Sequence, residues 1–245
     1  MNETALSIEG LHKNFPGQTV LREINLLINS GECIGLIGAN GAGKTTLIKC
    51  MLDFCAVDAG GIRIFGVDHR RPEARNRVAF LPERFSPPYY LNGRDFLKFM
   101  AALDHSDYDE QEALAMLAAL DLDPAALKKP VRQFSQGMGQ KLGLAACFLK
   151  RSDLVILDEP MNGLDPLARA HLKKYLATLK QEGRTLFYST HLLDDVQALC
   201  DRVIILHDGM VRFAGKVSDC CAAYHAGSLE DAYLACIEAG PPGKL

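Results

Sequence analysis

The sequence of 245 residues predicts an α/β fold in which a helical segment interrupts a core built around a parallel sheet. Apolar runs such as Cys33–Ile37 and Leu154–Leu157 are typical of strands that a parallel sheet buries on both faces. A glycine-rich loop joins the first of these runs to a helical pattern. The stretch from Asn92 to about Lys150 contains helical patterns and no strand pattern, which indicates an inserted helical subdomain.

The glycine-rich loop follows the pattern GxxxxGKT between the first buried strand and a predicted helix, Leu47–Leu52. Glycines let the backbone curl so that successive N–H groups point at a phosphate chain, and the positive end of the helix dipole adds to the attraction. Lys44 is expected to reach the β- and γ-phosphates, and the Thr45 hydroxyl to ligate Mg²⁺. The predicted nucleotide-binding residues of this loop are Gly38, Ala39, Asn40, Gly41, Ala42, Gly43, Lys44, Thr45 and Thr46.

Composition narrows the class of protein. Hydrophobic residues make up 48% and charged residues 23% of the chain, as in globular domains. The net charge of −3 does not favour a nucleic-acid partner, and none is expected. No apolar run approaches the roughly 18 residues that span a bilayer, and the N-terminus lacks a signal-peptide pattern, so a cytosolic location is expected. The eight cysteines are expected to be small buried hydrophobes, with a redox or metal role for adjacent Cys220 and Cys221 as the alternative.

Before the helical segment, alternating or apolar runs bounded by turn residues predict four further strands. A turn at Phe15–Gln18 separates the first two, and there Phe15 could stack on a purine base, although a lone aromatic is more often a core or surface residue. Three helices follow: one capped by Asn92, one at Asp109–Leu120, and one after Ser135. The four strands are Ala5–Glu9, Leu21–Ile28, Gly61–Gly66 and Val78–Leu81.

Two acidic residues close the buried strand that follows the helical segment. Ligands of open α/β sheets lie beyond the carboxyl ends of the strands, so this position places Asp158 and Glu159 beside the phosphate loop. Asp158 is expected to hold Mg²⁺, directly or through water. Glu159 is expected to be the general base for the water that attacks the γ-phosphate.

The rest of the chain continues the α/β pattern. Pro166–Gln181 predicts a helix, and Arg184–Ser189 a strand that leads to His191, which could contact the γ-phosphate from the same sheet edge. The apolar runs on either side of His207–Gly209 predict a hairpin. The tail from Lys216 onward is predicted to be helical until the glycines and prolines at positions 240–243.

The segment Phe134–Lys141, FSQGMGQK, matches the signature motif of the ATP-binding subunits of ABC transporters, and the chain resembles that family over nearly its whole length. In this family two subunits meet head to tail, and the signature of one closes on ATP in the phosphate loop of the other. Positions implied to contact nucleotide are Phe15 on adenine, Glu83 as sensor of Mg²⁺ and γ-phosphate, Ser135, Gln136 and Gly137 of the signature, Asp165 of the interface loop and His191 as switch.

Two departures accompany the resemblance. Glu83 stands where the family usually has glutamine, and it adds negative charge near the triphosphate. Gln136 and Met138 stand where the commonest signature has glycine and glutamine. With the C-terminal segment Ser228–Leu234, these features resemble the branch that is paired with separate export-type permeases.

The resemblance implies a P-loop NTPase (RecA-like) core with an antiparallel β subdomain and an inserted α-helical subdomain. The expected bounds of these parts are about 1–83 and 151–215 for the core, 84–150 for the helical subdomain, and 216–245 for a C-terminal helical extension. The implied protein is an ATPase that takes ATP and Mg²⁺, pairs with a second such subunit, and drives a separate transmembrane permease from the cytoplasmic face of the membrane. An ABC-type ATPase of a soluble machine and a phosphotransferase are the alternatives.

Overall fold

A computed structural model describes residues 3–239; the predicted break at positions 240–243 lies outside them. Its strands are β1 Thr4–Phe15, β2 Gln18–Asn29, β3 Cys33–Ile37, β4 Ala59–Ile64, β5 Val67–Asp68, β6 Val78–Leu81, β7 Leu154–Asp158, β8 Thr185–Thr190, β9 Arg202–His207 and β10 Met210–Lys216. Its α-helices are α1 Lys44–Met51, α2 Gly93–Leu103, α3 Glu110–Ala119, α4 Gln136–Leu149, α5 Pro166–Gln181, α6 Leu193–Leu199, α7 Val217–Ala223 and α8 Leu229–Ala239.

The larger sheet has the strand order β10-β9-β3-β8-β7-β6. Strands β9, β3, β8, β7 and β6 run parallel, and β10 pairs antiparallel with β9 through the hairpin at Asp208–Gly209. The smaller sheet, in the order β2-β1-β4-β5, is antiparallel throughout. The predicted α/β fold with an antiparallel β subdomain and a helical insertion is therefore confirmed.

Alternating residues of the parallel strands serve two different cores. Ile34 and Leu36 of β3 pack in one cluster with α1 and the antiparallel sheet. Cys33 and Ile37 of the same strand belong to the other cluster, which includes the helices α2 to α6. Because both faces are covered, β3 and β7 are buried at every residue, which explains their continuous apolar sequences.

Side-chain caps fix where the inserted helices begin. Asn92 accepts a hydrogen bond from the Asp95 N–H at the start of α2, and Asp109 accepts from the N–H groups of Gln111 and Glu112 at the start of α3. These caps satisfy amides that have no partner within the helix, so both predicted starts are confirmed. The assignment of this segment as a subdomain at 84–150 stays a prediction.

Differences from the sequence-based elements lie mainly at ends and in one missed helix. β1 extends to Phe15, well beyond the predicted strand, because it pairs with β2 along its whole length. The short helix α6, at 193–199, was not predicted, and the tail forms α7 and α8 rather than one continuous helix. Across residues 3–239, no helix is long and apolar enough to cross a membrane.

Candidate functional site

Neighbouring strands of the large sheet deliver the predicted site residues to one edge. The order β3-β8-β7-β6 places four parallel carboxyl ends side by side. The phosphate loop follows β3, His191 follows β8, and Glu159 follows β7, while Glu83 lies two residues beyond β6. Ligands of parallel sheets bind at this edge, so the topology brings together residues that are far apart in the sequence.

These loops enclose a cleft of about 570 Å³. It is large enough for a phosphate chain, and its lining mixes backbone of the phosphate loop with charged side chains. The lining residues are Val20, Gly38, Ala39, Asn40, Gly41, Gly43, Lys44, Thr45, Thr46, Glu83, Glu159, Asn162 and His191. Ala42 of the phosphate loop is buried beneath it rather than among the lining residues.

Glycine is required in the phosphate loop for two different reasons. Gly43 has φ +109°, a left-handed conformation that other residues rarely adopt, and it is the residue from which α1 begins. Gly38 has an ordinary φ, but a Cβ atom there would lie 2.3 Å from the Leu206 carbonyl oxygen of β9. The loop therefore packs directly on the neighbouring strand, and only glycine leaves room for that packing.

Lys44 is held at the cleft by backbone and by charge. Its Nζ donates a hydrogen bond to the Gly38 carbonyl oxygen at 2.7 Å, and it lies 3.7 Å from Oε1 of Glu159. Both side chains of this ion pair are less than a tenth exposed. The ammonium group is thus positioned where an anion entering the cleft would meet it.

Glu159 contacts both Lys44 of the phosphate loop and His191. Its Oε2 accepts a hydrogen bond from Nδ1 of His191 at 2.8 Å, while its other oxygen faces Lys44. The residue adopts φ +49°, which is uncommon for a side chain other than glycine. Its backbone N–H donates to the Ser189 Oγ at 2.9 Å. A carboxylate in this position can accept a proton from a water molecule in the cleft.

Asp158 lies just below the cleft at the end of β7 and is 1% exposed. Its Oδ1 accepts a hydrogen bond from the Ser189 hydroxyl at 2.5 Å. Among the described residues no cluster of three or more His, Cys, Asp or Glu side chains could hold a metal by itself. Mg²⁺ is usually held by one or two carboxylates together with substrate phosphates, so oxygen donors from Asp158, Thr45 and Glu83 fit that ion bound jointly with a nucleotide.

Phe15 is not among the residues that line the cleft. It is 44% exposed at the end of β1, and the Lys13 ammonium lies 5.0 Å from its ring centroid. Val20, on the other strand of the same hairpin, lines the cleft instead. Stacking of Phe15 on adenine stays a prediction.

The signature residues also lie outside this cleft. Ser135 caps α4 by accepting a hydrogen bond from the Met138 N–H at 3.2 Å, and both Ser135 and Gln136 are exposed. Gly137 is partly buried, and a Cβ atom there would lie 3.0 Å from the carbonyl oxygen of Gly163 in the loop that precedes α5. The helix start that could bind an anion is therefore accessible to another molecule rather than covered by its own chain.

Asp165 lies at the end of the loop that precedes α5 and caps that helix. Its carboxylate accepts a hydrogen bond from the Ala168 N–H at 2.9 Å, and that bond lowers the pKa of the Asp165 side chain. It borders the same shallow depression as Ser135 and Gly137, and it does not line the nucleotide cleft. A nucleotide contact by Asp165 would have to come from the signature side and stays a prediction.

Sequence reasoning missed Ser189 as a member of the site. The sequence pattern predicts it only as the last residue of a strand, and the expected γ-phosphate contact nearby is assigned to His191. Its role depends on the register in which Asp158 of β7 lies opposite Ser189 of β8. A polar residue near the end of an otherwise apolar strand was the available signal.

Comparisons with known proteins agree with this geometry. The family model described as ABC transporter matches residues 21–162. An ABC transporter ATP-binding protein of Synechocystis sp. is 35% identical over 81% of this chain. The matched part of this chain spans only 57% of that protein's length. The lantibiotic transport ATP-binding protein SrtF of Streptococcus pyogenes is 33% identical, with 84% of this chain and 88% of that protein covered.

A solved structure is similar over almost the whole chain. The structure of an ATP-binding subunit of an ABC transporter superposes with a TM-score of 0.85 at 29% identity, and 94% of this chain and 98% of that chain are covered. Sequence and fold therefore point to the same family as the phosphate loop and the signature. The chain belongs to the ABC transporter family, as one of its ATP-binding ATPase cassettes.

Proposed function

We propose that this chain is the ATP-binding and ATP-hydrolysing subunit of an exporter and drives a separate membrane permease through ATP-dependent closure of a dimer. The observation that carries the proposal is the contact of Glu159 with both Lys44 and His191 at the mouth of the phosphate loop. Export is supported by the similarity to SrtF, whose name describes lantibiotic transport. The permease would hold the chain at the cytoplasmic face of the membrane.

Hydrolysis would use the groups that already meet in the cleft. Lys44 neutralises charge on the β- and γ-phosphates, and His191 contacts the γ-phosphoryl group from the end of β8. Glu159 orients the attacking water and accepts its proton as the P–O bond to the leaving diphosphate breaks. Mg²⁺, held by Thr45 and Asp158 with Glu83 acting through water, would supply further charge neutralisation when bound.

The exposed signature supports closure by a second copy of the chain. Ser135 and Gly137 do not line the cleft of their own chain and border a separate depression with Asp165, which suits contact with a nucleotide held by another subunit. A second copy placed head to tail would bring its Ser135 to the γ-phosphate of the ATP that the first copy binds. Loss of that phosphate would remove the bridging contacts, and the dimer would open.

The permease is proposed to dock on the loop at 83–92. Tyr89 and Tyr90 are 71% and 74% exposed, and their rings pack edge to face with centroids 5.6 Å apart. The loop, with its remaining contact residues Arg84, Phe85, Pro87 and Pro88, lines one side of a groove of about 760 Å³, and Ser135 and Gln136 line the other side. An apolar permease segment seated there would contact both the Glu83 sensor and the signature.

A double substitution tests this docking surface. Alanine at positions 89 and 90 removes exposed aromatic surface that no core needs, so ATP binding should stay normal while transport by the reconstituted complex falls. Transport equal to that of the wild type would exclude the two tyrosines from docking. Co-purification of the chain with a polytopic membrane protein would separate the transporter from an ATPase that serves a soluble machine.

Glu159→Gln tests the hydrolytic assignment. The amide keeps the side-chain shape and cannot accept the proton of water, so ATP turnover should fall by roughly 10²- to 10⁴-fold while ATP still binds and joins two subunits. The matched control is Glu182→Gln at the C-terminal end of α5, near where β8 begins and thus at the opposite edge of the sheet. Turnover in Glu159→Gln within a few-fold of that control would exclude the general-base role.

A further inference from the structure

Ser189 lies near the end of β8, beside the two acidic residues that close β7. It is the penultimate residue of β8, is 0% exposed, and lies opposite Asp158 in the parallel register. Its hydroxyl group makes two hydrogen bonds, one to the side chain of Asp158 and one with the backbone of Glu159. It is not among the residues that line the cleft at the phosphate loop.

The directions of these bonds are fixed by chemistry. The hydroxyl proton is donated to Oδ1 of Asp158 at 2.5 Å, because an ionised carboxylate can only accept. A lone pair of the same oxygen accepts the Glu159 N–H at 2.9 Å. One side chain therefore sets the rotation of one carboxylate and anchors the backbone of the next residue.

The backbone anchor acts at a strained position. Glu159 has φ +49°, a left-handed conformation that is strained for a side chain with a Cβ atom and persists only where surrounding contacts hold it. In this conformation the Glu159 carboxylate contacts both Lys44 and His191. Without the Ser189 acceptor, the buried N–H of Glu159 would lose its partner.

We propose that Ser189 is a positioning residue that holds the proposed metal ligand Asp158 and the proposed base Glu159 in a fixed relation. The inference rests on the proposed ATPase function of this site. His191 follows Ser189 by two residues, so the end of β8 positions Asp158, Glu159 and His191 together. Ser189 acts through these groups and does not itself contact the substrate.

The test compares Ser189→Ala with Ser152→Ala. Ser152 is also buried, at 6% exposure, but its hydroxyl has no hydrogen-bond partner among the described residues, and it lies near the opposite end of β7. The two variants thus remove the same atom from comparable burial, and only one removal touches Asp158 and Glu159. Steady-state ATPase kinetics and binding of a fluorescent ATP analogue, with and without Mg²⁺, are the measurements.

Ser189→Ala is expected to lower kcat by about tenfold to a hundredfold with little change in KM, which is the effect of losing hydrogen bonds that involve a charged group. Mg²⁺ raises the affinity for nucleotide, and the Mg²⁺ concentration that gives half of this increase should be higher in the variant. The affinity for nucleotide without Mg²⁺ should stay as in the wild type. Ser152→Ala should change neither. Rates are referred to sites counted by Mg²⁺-free binding, so a loss of folded protein does not imitate the effect.

A kcat and Mg²⁺ dependence of Ser189→Ala equal to those of Ser152→Ala would overturn the inference. A fall in the ATPase rate per mole of total protein that only matches the loss of Mg²⁺-free binding sites would overturn it as well, because the rate per counted site is then unchanged and the fold alone has been damaged. If the wild-type chain itself hydrolyses no ATP, the proposed function fails. An active wild type with an unaffected Ser189→Ala variant refutes the positioning role alone.

Discussion

The contact of Gly38 with strand β9 gives a sharp prediction for Gly38→Ala. The added Cβ atom would lie 2.3 Å from the Leu206 carbonyl oxygen and 3.2 Å from the Ala42 Cβ. The first distance is far inside van der Waals contact and involves backbone, so the loop or β9 must shift. Overpacking of this kind costs roughly 1–3 kcal/mol of unfolding free energy.

The same shift should weaken nucleotide binding, because the Gly38 carbonyl oxygen is the acceptor that holds Lys44 Nζ at 2.7 Å. Urea denaturation measures the stability, and titration with a fluorescent ATP analogue measures the affinity. Gly139→Ala is the control for stability: it lies in α4, its Cβ would meet nothing within 4 Å outside the helix, and it should gain about 0.5–1 kcal/mol. A Gly38→Ala variant as stable as the wild type would refute the steric reasoning.

Three further predictions concern the folded chain. Leu172→Ala, at a site 1% exposed in α5, should lower the free energy of unfolding by about 2–5 kcal/mol in urea denaturation. Asn92→Ala removes the cap of α2 and should cost about 1 kcal/mol in the same assay, with Asn92→Ser, which keeps a capping oxygen, closer to the wild type. Burial raises the pKa of Cys50, Cys147 and Cys220 from 9.0 to about 12, so the folded chain keeps thiol protons that the unfolded chain releases. The urea concentration at the midpoint of unfolding should therefore stay constant below pH 9 and fall between pH 9 and about 12. The fall should be less steep in Cys147→Ala, and a midpoint that does not change with pH would contradict the prediction.

Elements with local signals were predictable from the sequence. β3 and β6 were predicted with the bounds that the structure gives, and so was α5, because apolar runs and a proline in the first turn act over a few residues. The caps Asn92 and Asp109 are equally local, since each bonds an amide two or three residues away. The short helix α6 has no side-chain cap, and Val196 within it is buried against β3 at Gly35, so it depends on a tertiary contact.

The residues of the site likewise include some that local sequence predicts and some that depend on tertiary structure. The phosphate loop, the Asp158–Glu159 pair and the signature segment carry their chemistry in consecutive residues, so the sequence alone determined that the chain binds a nucleotide and which family it resembles. Whether these segments meet was decided by the strand order β3-β8-β7-β6, which single-sequence patterns do not encode.

The bond between Ser189 and Asp158 joins residues 31 positions apart through the register of two parallel strands. The pairing of Glu159 with Lys44 likewise needs β8 to lie between their strands. Short-range patterns specify what a segment can do; only packing, in which many weak contacts select one strand order and one register, specifies which segments act together.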